Sequence, residues 1–243
     1  MIDIHNHLLV GVDDGSKSYE ESRELLLKAK EEGITDILVT PHFMKEGPYN
    51  HKREELIPLF EELKERNKDI DINLYIGNEL LIDYELDELI NKNEVLTLNN
   101  SNYVLVEFPF EVYLEEYDEY LYNISLNNKI IIAHPERYRY VIKEPEFVSR
   151  WLENNYYLQV NQSSLFKPET KKTALKLIEN GYVNIIASDG HNRHRPVVLK
   201  DAYEYISHKF NEDIARLLFI DNPRRVIDDE LLVKANKVRR RLF

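Results

Sequence analysis

At 243 residues and 29.0 kDa, with 43% apolar residues, the chain can fill one large core or two small ones. Its 32 Lys and Arg against 44 Asp and Glu give a net charge of −12 and a pI near 5.2, which excludes tracking along nucleic acid. The absence of cysteine excludes disulfides, thiolate metal ligands and cysteine nucleophiles, and the seven scattered glycines form neither a G-x-G-x-x-G string nor a P-loop.

The chain opens directly on MIDIHNH (residues 1–7), a first strand, without a basic and apolar leader. Its apolar runs fall far short of the ~18–20 residues needed to cross a bilayer, so no transmembrane segment and a cytoplasmic protein are expected. Ser16 to Glu32 opens on a serine cap and sets Leu25, Leu26 and Ala29 on one face, predicting a helix. The second strand is DILVTPH (36–42). The helix that follows, Lys52 to Lys68, contains Pro58, which either kinks it or marks its start. Further strands are INLYIGNE (72–79), YVLVEFP (103–109), IIIAHPER (130–137), YYLQVNQSS (156–164) and VNIIASDGH (183–191). Helical stretches fill the gaps at Tyr84–Lys92, Tyr113–Asn127, Pro145–Asn154, Pro168–Asn180 and Leu199–Phe210, and Asn180–Gly181 reads as a helix stop.

The runs are continuous rather than alternating, as in parallel strands covered on both faces. Seven β–α units without a linker predict one α/β domain over residues 1–243, either a doubly wound open sheet or a closed barrel. From Asp213 onward the tail reads as helix and ends in a basic cluster, Lys234, Lys237, Arg239, Arg240 and Arg241. That cluster is either a surface feature or a peripheral docking element for an acidic partner or membrane surface.

Metal-ligand residue types gather at the carboxyl ends of these strands. The first carries His5 and His7, with Asp14 in the following loop; the second ends in His42, the third in Glu79, the fourth in Glu107, the fifth in His134, and the seventh in Asp189 and His191. The sixth, ending VNQSS, offers no strong ligand. In an α/β barrel these ends share one rim, so residues from 5 to 191 would converge there. Packing four carboxylates together without cations costs several kcal/mol per unpaired charge. The His/Asp/Glu set suits manganese, iron or zinc. Nine ligands exceed what one ion needs and fit two or three ions sharing a bridging carboxylate.

The ordered motifs H-x-H, T-P-H, a strand-terminal Glu, A-H-P-E-R and S-D-x-H resemble the PHP (polymerase and histidinol phosphatase) superfamily. Within it, IDIHNH…VDDGSKS, VTPH, YIGNE, VEFP, IIAHPERY and ASDGHN look like the bacterial manganese-dependent protein tyrosine phosphatases of capsule and exopolysaccharide operons. The resemblance spans nearly the whole chain. It implies a distorted seven-stranded (β/α)7 barrel with a trinuclear site at the C-terminal rim of the strands. By this resemblance one metal takes His5, His7, Glu79 and Asp189; a second shares Glu79 and adds Glu107 and His134; the third takes Asp14, His42 and His191. Mn2+ is the implied cofactor, with Fe or Zn compatible with the same ligands. The implied partner is the phosphotyrosine-bearing tail of a bacterial tyrosine kinase.

Such a site points to phosphomonoester hydrolysis without a covalent enzyme intermediate. A phenolate leaving group, with its pKa near 10, depends less on a strong general acid than a serine alkoxide does, and no general acid is identified. Phosphate recognition needs planar cations. Arg137, three residues after His134, and Arg195, four after His191, are the first choices, with Arg139 and Arg193 second. His194 lies near the rim and could donate a proton, whereas His51 and His208 read as surface residues. Asn161 and Gln162 either touch substrate or satisfy backbone groups. Two alternatives stand beside this function: a small-molecule phosphatase of the histidinol-phosphatase type, and a catalytically weak kinase-binding regulator.

Overall fold

The computed structural model describes residues 1–238. All strand pairings are parallel and fall into two sheets. In chain order the strands are β1 (Ile2–Asp3), β2 (Asp36–Val39), β3 (His42–Phe43), β4 (Asn73–Ile76), β5 (Glu79–Leu81), β6 (Tyr103–Glu107), β7 (Lys129–Ala133), β8 (Tyr157–Asn161) and β9 (Ile185–Ala187). One sheet has the order β1-β2-β4 and the other β3-β5-β6-β7-β8-β9. Two of the seven expected runs are each interrupted, the second at Thr40–Pro41 and the third at Gly77–Asn78. Hydrogen bonds cross these breaks: Gly77 N donates to Val39 O at 2.8 Å, and Glu79 N to Pro41 O at 3.1 Å. At the other seam, Asp189 N donates to His5 O and His7 N to Gly190 O, both at 2.8 Å. Asp3 reinforces that seam by accepting from Ser188 N and Ser188 Oγ at 2.8 and 2.7 Å.

Both faces of the strands are buried, as their continuous β-branched runs require. Val104, Val106, Ile130, Ile132, Leu158 and Val160 point one way into the larger core. Their alternates, Tyr103, Leu105, Ile131, Ala133 and Tyr157, point the other way and meet Ile2, Ile4, Leu38 and Ile185 in a second core.

The connecting helices begin with α1 (Tyr19–Glu31), α2 (Arg53–Arg66), α3 (Leu86–Asn91), α4 (Glu116–Ser125), α5 (Arg139–Lys143) and α6 (Ser149–Glu153). They continue with α7 (Pro168–Glu179), α8 (Lys200–Lys209), α9 (Glu212–Arg216) and α10 (Asn222–Ile227). Ser18 caps α1 by accepting from Glu21 N at 3.2 Å. Pro58 lies inside α2 and does not mark its start. The expected stop of α7 is present: Gly181 takes φ +72° and donates to Ile178 O, while Tyr182 N donates to Leu177 O.

The tail departs from the expected helix. From Glu212 it is helical only as far as Ile227, with a π-type turn at Leu217–Asp221. There the same 6→1 and 5→2 bonds close it, from Glu230 N to Arg225 O and from Asp229 N to Val226 O, with Asp229 at φ +55°. The Asp229 carboxylate is held in place by Asn102 N and Lys129 Nζ, both at 3.0 Å. Lys234 and Lys237 of the basic cluster lie beyond this stop without regular structure; Arg239, Arg240 and Arg241 lie outside the described residues. No helix among the described residues is long and apolar enough to cross a membrane.

Candidate metal centre

The nine predicted ligands converge. His5 and His7 follow β1 with the two-residue spacing that puts both rings on one side. His42 opens β3, Glu79 opens β5, Glu107 ends β6, and His134 and Asp189 stand just past β7 and β9. His134 and Asp189 both take positive φ, 32° and 51°, a strained turn that aims each side chain back over the strand ends. Close approach also dictates Gly15: a Cβ there would lie 2.1 Å from His7 O.

Glu79 is the hub. Its Oε2 lies 3.1 Å from His5 Nε2, 3.3 Å from His7 Nε2 and 3.0 Å from His42 Nδ1. Its Oε1 is 2.9 Å from His134 Nε2, which is also 3.5 Å from Glu107 Oε1. Asp189 Oδ1 faces His5, His7 and His191 at 3.7, 3.6 and 3.4 Å. Asp14 Oδ1 is 3.5 Å from both His42 Nε2 and His191 Nε2. Four groups of potential donor atoms therefore lie close enough to hold ions: His7/Asp14/His42/His191, His5/Glu79/His134, His5/His7/Asp189 and His42/Glu79/Glu107.

The donor atoms fit metals better than they fit one another. His5 Nε2, His7 Nε2, His42 Nδ1 and Glu79 Oε2 are buried and within contact distance, yet none makes an aligned hydrogen bond. On His5, His7 and His191 the outer ring nitrogens are occupied. His7 Nδ1 is 2.7 Å from Asp13 Oδ2, His5 Nδ1 is 2.9 Å from Gln159 Oε1, and His191 Nδ1 is 3.0 Å from Asp189 O. Each such bond places a proton on the outer nitrogen and turns the inner nitrogen toward the cluster, the usual arrangement of metal-ligating histidine.

The electrostatics carry the same signature. Burial disfavours charge on Glu79, but His5 and His42 beside it hold it well below the usual carboxylate range. Burial and the neighbouring Glu79 push Glu107 up to about 8. Burial works against protonation of His5 and His42, yet Glu79 lifts them to about 9 and about 10. Without ions, protons on the rings balance the carboxylates; divalent cations would replace them.

A cavity of about 230 Å3 opens over the cluster, lined by Asp14, Tyr49, Phe110, Arg137 and Arg195 among others. Arg137 Nη1 and Arg195 Nη2 both reach Asp189 Oδ2, at 2.9 and 2.8 Å. The Arg137 guanidinium lies over the Phe110 ring, 4.6 Å from its centroid. Arg139 is outside the cluster, exposed and paired with Glu111 at 3.0 Å, on a neighbouring cleft of about 420 Å3. Arg193 is turned away: its guanidinium grips Glu24 of α1 at 2.6 and 2.8 Å. His194 is exposed, and His51 pairs with Glu55 at 3.4 Å. Asn161 donates to Asp189 Oδ2, whereas Gln162 opens a short 3-10 turn. Sequence reasoning missed Asp13, Gln159 and Phe110. Only Asp13 carried a signal, its place beside Asp14 after an H-x-H pair.

The family model for capsular polysaccharide synthesis, CpsB/CapC, matches residues 1–228. The tyrosine-protein phosphatase CpsB of Streptococcus pneumoniae is 35% identical, over 96% of this chain and 100% of its own length. The tyrosine-protein phosphatase YwqE of Bacillus subtilis is 30% identical over 90% of this chain and 88% of its own. A chain from the crystal structures of YwqE and S. pneumoniae CpsB, described as metal-dependent tyrosine phosphatases, superposes with a TM-score of 0.91. It is 28% identical and covers 99% of this chain and 100% of its own. An organophosphorus hydrolase from Deinococcus radiodurans shares the fold alone, at a TM-score of 0.61 and 10% identity, covering 93% of this chain and 92% of its own. The chain belongs to the CpsB/CapC family of capsular polysaccharide synthesis proteins.

Proposed function

We propose that this protein is a metal-dependent phosphotyrosine phosphatase whose substrate is the phosphorylated tail of a bacterial tyrosine kinase that controls capsule or exopolysaccharide synthesis. One observation carries it: three imidazole nitrogens and a glutamate oxygen meet, buried and without aligned partners, beneath a cavity edged by two arginines. Tyrosine-protein phosphatase activity is named for the family relatives, and the kinase tail is what the sequence resemblance implies.

His5, His7, Glu79 and Asp189 would hold one ion, Glu79, Glu107 and His134 a second, and Asp14, His42 and His191 a third, with Mn2+ as the first choice. Bound there, divalent ions supply Lewis acidity, an activated water and charge neutralisation for the phosphoryl oxygens. Arg137 and Arg195 offer planar donors to the same oxygens, and Asp189 keeps both guanidinium groups at the cavity edge. Phe110 gives the cavity an aromatic wall against which a tyrosyl ring can rest. The two parallel sheets are read as a single distorted seven-stranded barrel in one domain, with the cluster at its C-terminal rim. The hydrogen bonds across the breaks and the inner core shared by both sheets support this.

Release of phosphate from a phosphotyrosine peptide and from histidinol phosphate, with Mn2+ and after chelation, tests the proposal. Peptide hydrolysis that needs Mn2+ and vanishes in His5→Ala is expected. Preference for histidinol phosphate would favour the small-molecule alternative, and equal, negligible rates for both chains a regulator.

A further inference from the structure

β8 brings no ligand to the rim, yet its buried inner face carries two amides, Gln159 and Asn161, two residues apart. They link two ligands through three hydrogen bonds. His5 Nδ1 lies 2.9 Å from Gln159 Oε1, Gln159 Nε2 donates to Asn161 Oδ1 at 2.9 Å, and Asn161 Nδ2 donates to Asp189 Oδ2 at 2.5 Å.

The direction of this chain is fixed by its anionic end. The Asp189 carboxylate only accepts, so Asn161 must present its NH2 there and its carbonyl oxygen to Gln159. Gln159 must then donate, which leaves its own carbonyl oxygen for His5 Nδ1–H. His5 thereby keeps a proton on Nδ1 and turns its Nε2 toward Glu79 Oε2 and Asp189 Oδ1, the nitrogen that would be free to ligate an ion. At the other end, Asp189 Oδ2 is taken up by Asn161, Arg137 and Arg195, which leaves Oδ1 facing His5 and His7. The strand end is itself anchored, because Asn161 N donates to the buried Glu136 Oε1 at 2.9 Å.

We propose that Gln159 and Asn161 are positioning residues, a directional amide relay that sets the tautomer of His5 and the rotamer of Asp189 as one unit. The proposal rests on the metal-centre reading above, in which these two ligands face the same ion. It explains why a strand without ligands carries buried polar side chains: the nitrogen and the oxygen of each amide have a partner in the relay.

Two measurements test it. The first is calorimetric titration of the metal-depleted chain with Mn2+. Gln159→Leu and Asn161→Leu should each weaken binding by roughly 10–100-fold, as loss of an outer-shell partner does. The double variant should be little worse than either single one, because both break the same relay. The second needs no metal: in a 15N-resolved spectrum of the histidine rings, Asn161→Leu should shift His5 Nδ1–H, although Asn161 does not bond to His5. Single variants within twofold of the parent in Mn2+ affinity, or fully multiplicative effects, would overturn the relay. So would a His5 signal unmoved by Asn161→Leu. If the parent chain bound no Mn2+, the metal-centre reading would fall, and the ring spectrum would still decide the relay.

Discussion

His7 Nδ1 lies 2.7 Å from Asp13 Oδ2, and the same carboxylate oxygen receives the backbone N–H of His42 at 3.0 Å. One buried aspartate thus orients two candidate ligands from different strands, and its other oxygen accepts from Gly15 N in the loop that carries Asp14. Asp13→Ala should lower Mn2+ affinity by roughly 10–100-fold. Calorimetric titration checks this; an affinity within twofold of the parent would contradict it.

Arg137 presents a fork that a lysine cannot reproduce. Arg137→Lys should reduce kcat/KM on a phosphotyrosine peptide by about tenfold or more, as loss of a charged hydrogen bond predicts. Arg193→Ala should leave steady-state rates unchanged, because Arg193 is committed to Glu24. Equal effects of the two substitutions would show that the cavity edge has been misassigned.

Phe110 stands between His134, with ring centroids 5.8 Å apart, and the Arg137 guanidinium, and lines both the cavity and the adjoining cleft. Phe110→Ala should raise KM for aryl phosphates roughly fivefold, about 1 kcal/mol of aromatic contact, and spare glycerol phosphate. A matching loss on both substrates would remove the aromatic-wall role.

Stability should depend on pH and metal together. In the metal-free chain, burial opposes the charge on His5 and His42, but Glu79 raises them to about 9 and about 10. A raised histidine stabilises the fold fully below its unfolded value near 6.5, and the contribution is lost as pH climbs through the folded value. Glu107, pushed up to about 8 by burial and Glu79, adds a cost that grows from its ordinary 4.5 to the same pH. His134, pushed down to about 4 by burial and Arg137, acts only below about pH 6.5. Above that pH the metal-free chain should lose stability steadily, and the rise in Tm on adding Mn2+ should widen between about pH 6.5 and about 10. Melting curves with and without Mn2+ measure this; a constant or shrinking gap would contradict it.

The candidate ligand set was legible because every member but Asp14, which sits in the loop after the first strand, stands at the end of a continuous apolar run, where parallel strands expose their carboxyl ends. His42 and Glu79 needed nothing more than that position. Asp13 and Gln159 were not legible, because their roles depend on which ring nitrogen of His7 and His5 faces outward. Arg195 and Arg193 differ by two positions in one turn, yet one reaches Asp189 and the other Glu24, a choice made by tertiary contact. The helical pattern of the tail continues past Ile227, but Asp229 adopts a left-handed conformation, its carboxylate held by Asn102 and Lys129, 127 and 100 residues earlier in sequence. The breaks at Thr40–Pro41 and Gly77–Asn78 carry Pro and Gly, residues that mark interruptions without saying whether a strand resumes.

Anomalous diffraction from crystals grown with excess MnCl2 tests the central claim most directly. Manganese peaks enclosed by His5, His7, Asp14, His42, Glu79, Glu107, His134, Asp189 and His191 are predicted. A cluster with these side chains ordered and no anomalous density among them would contradict it.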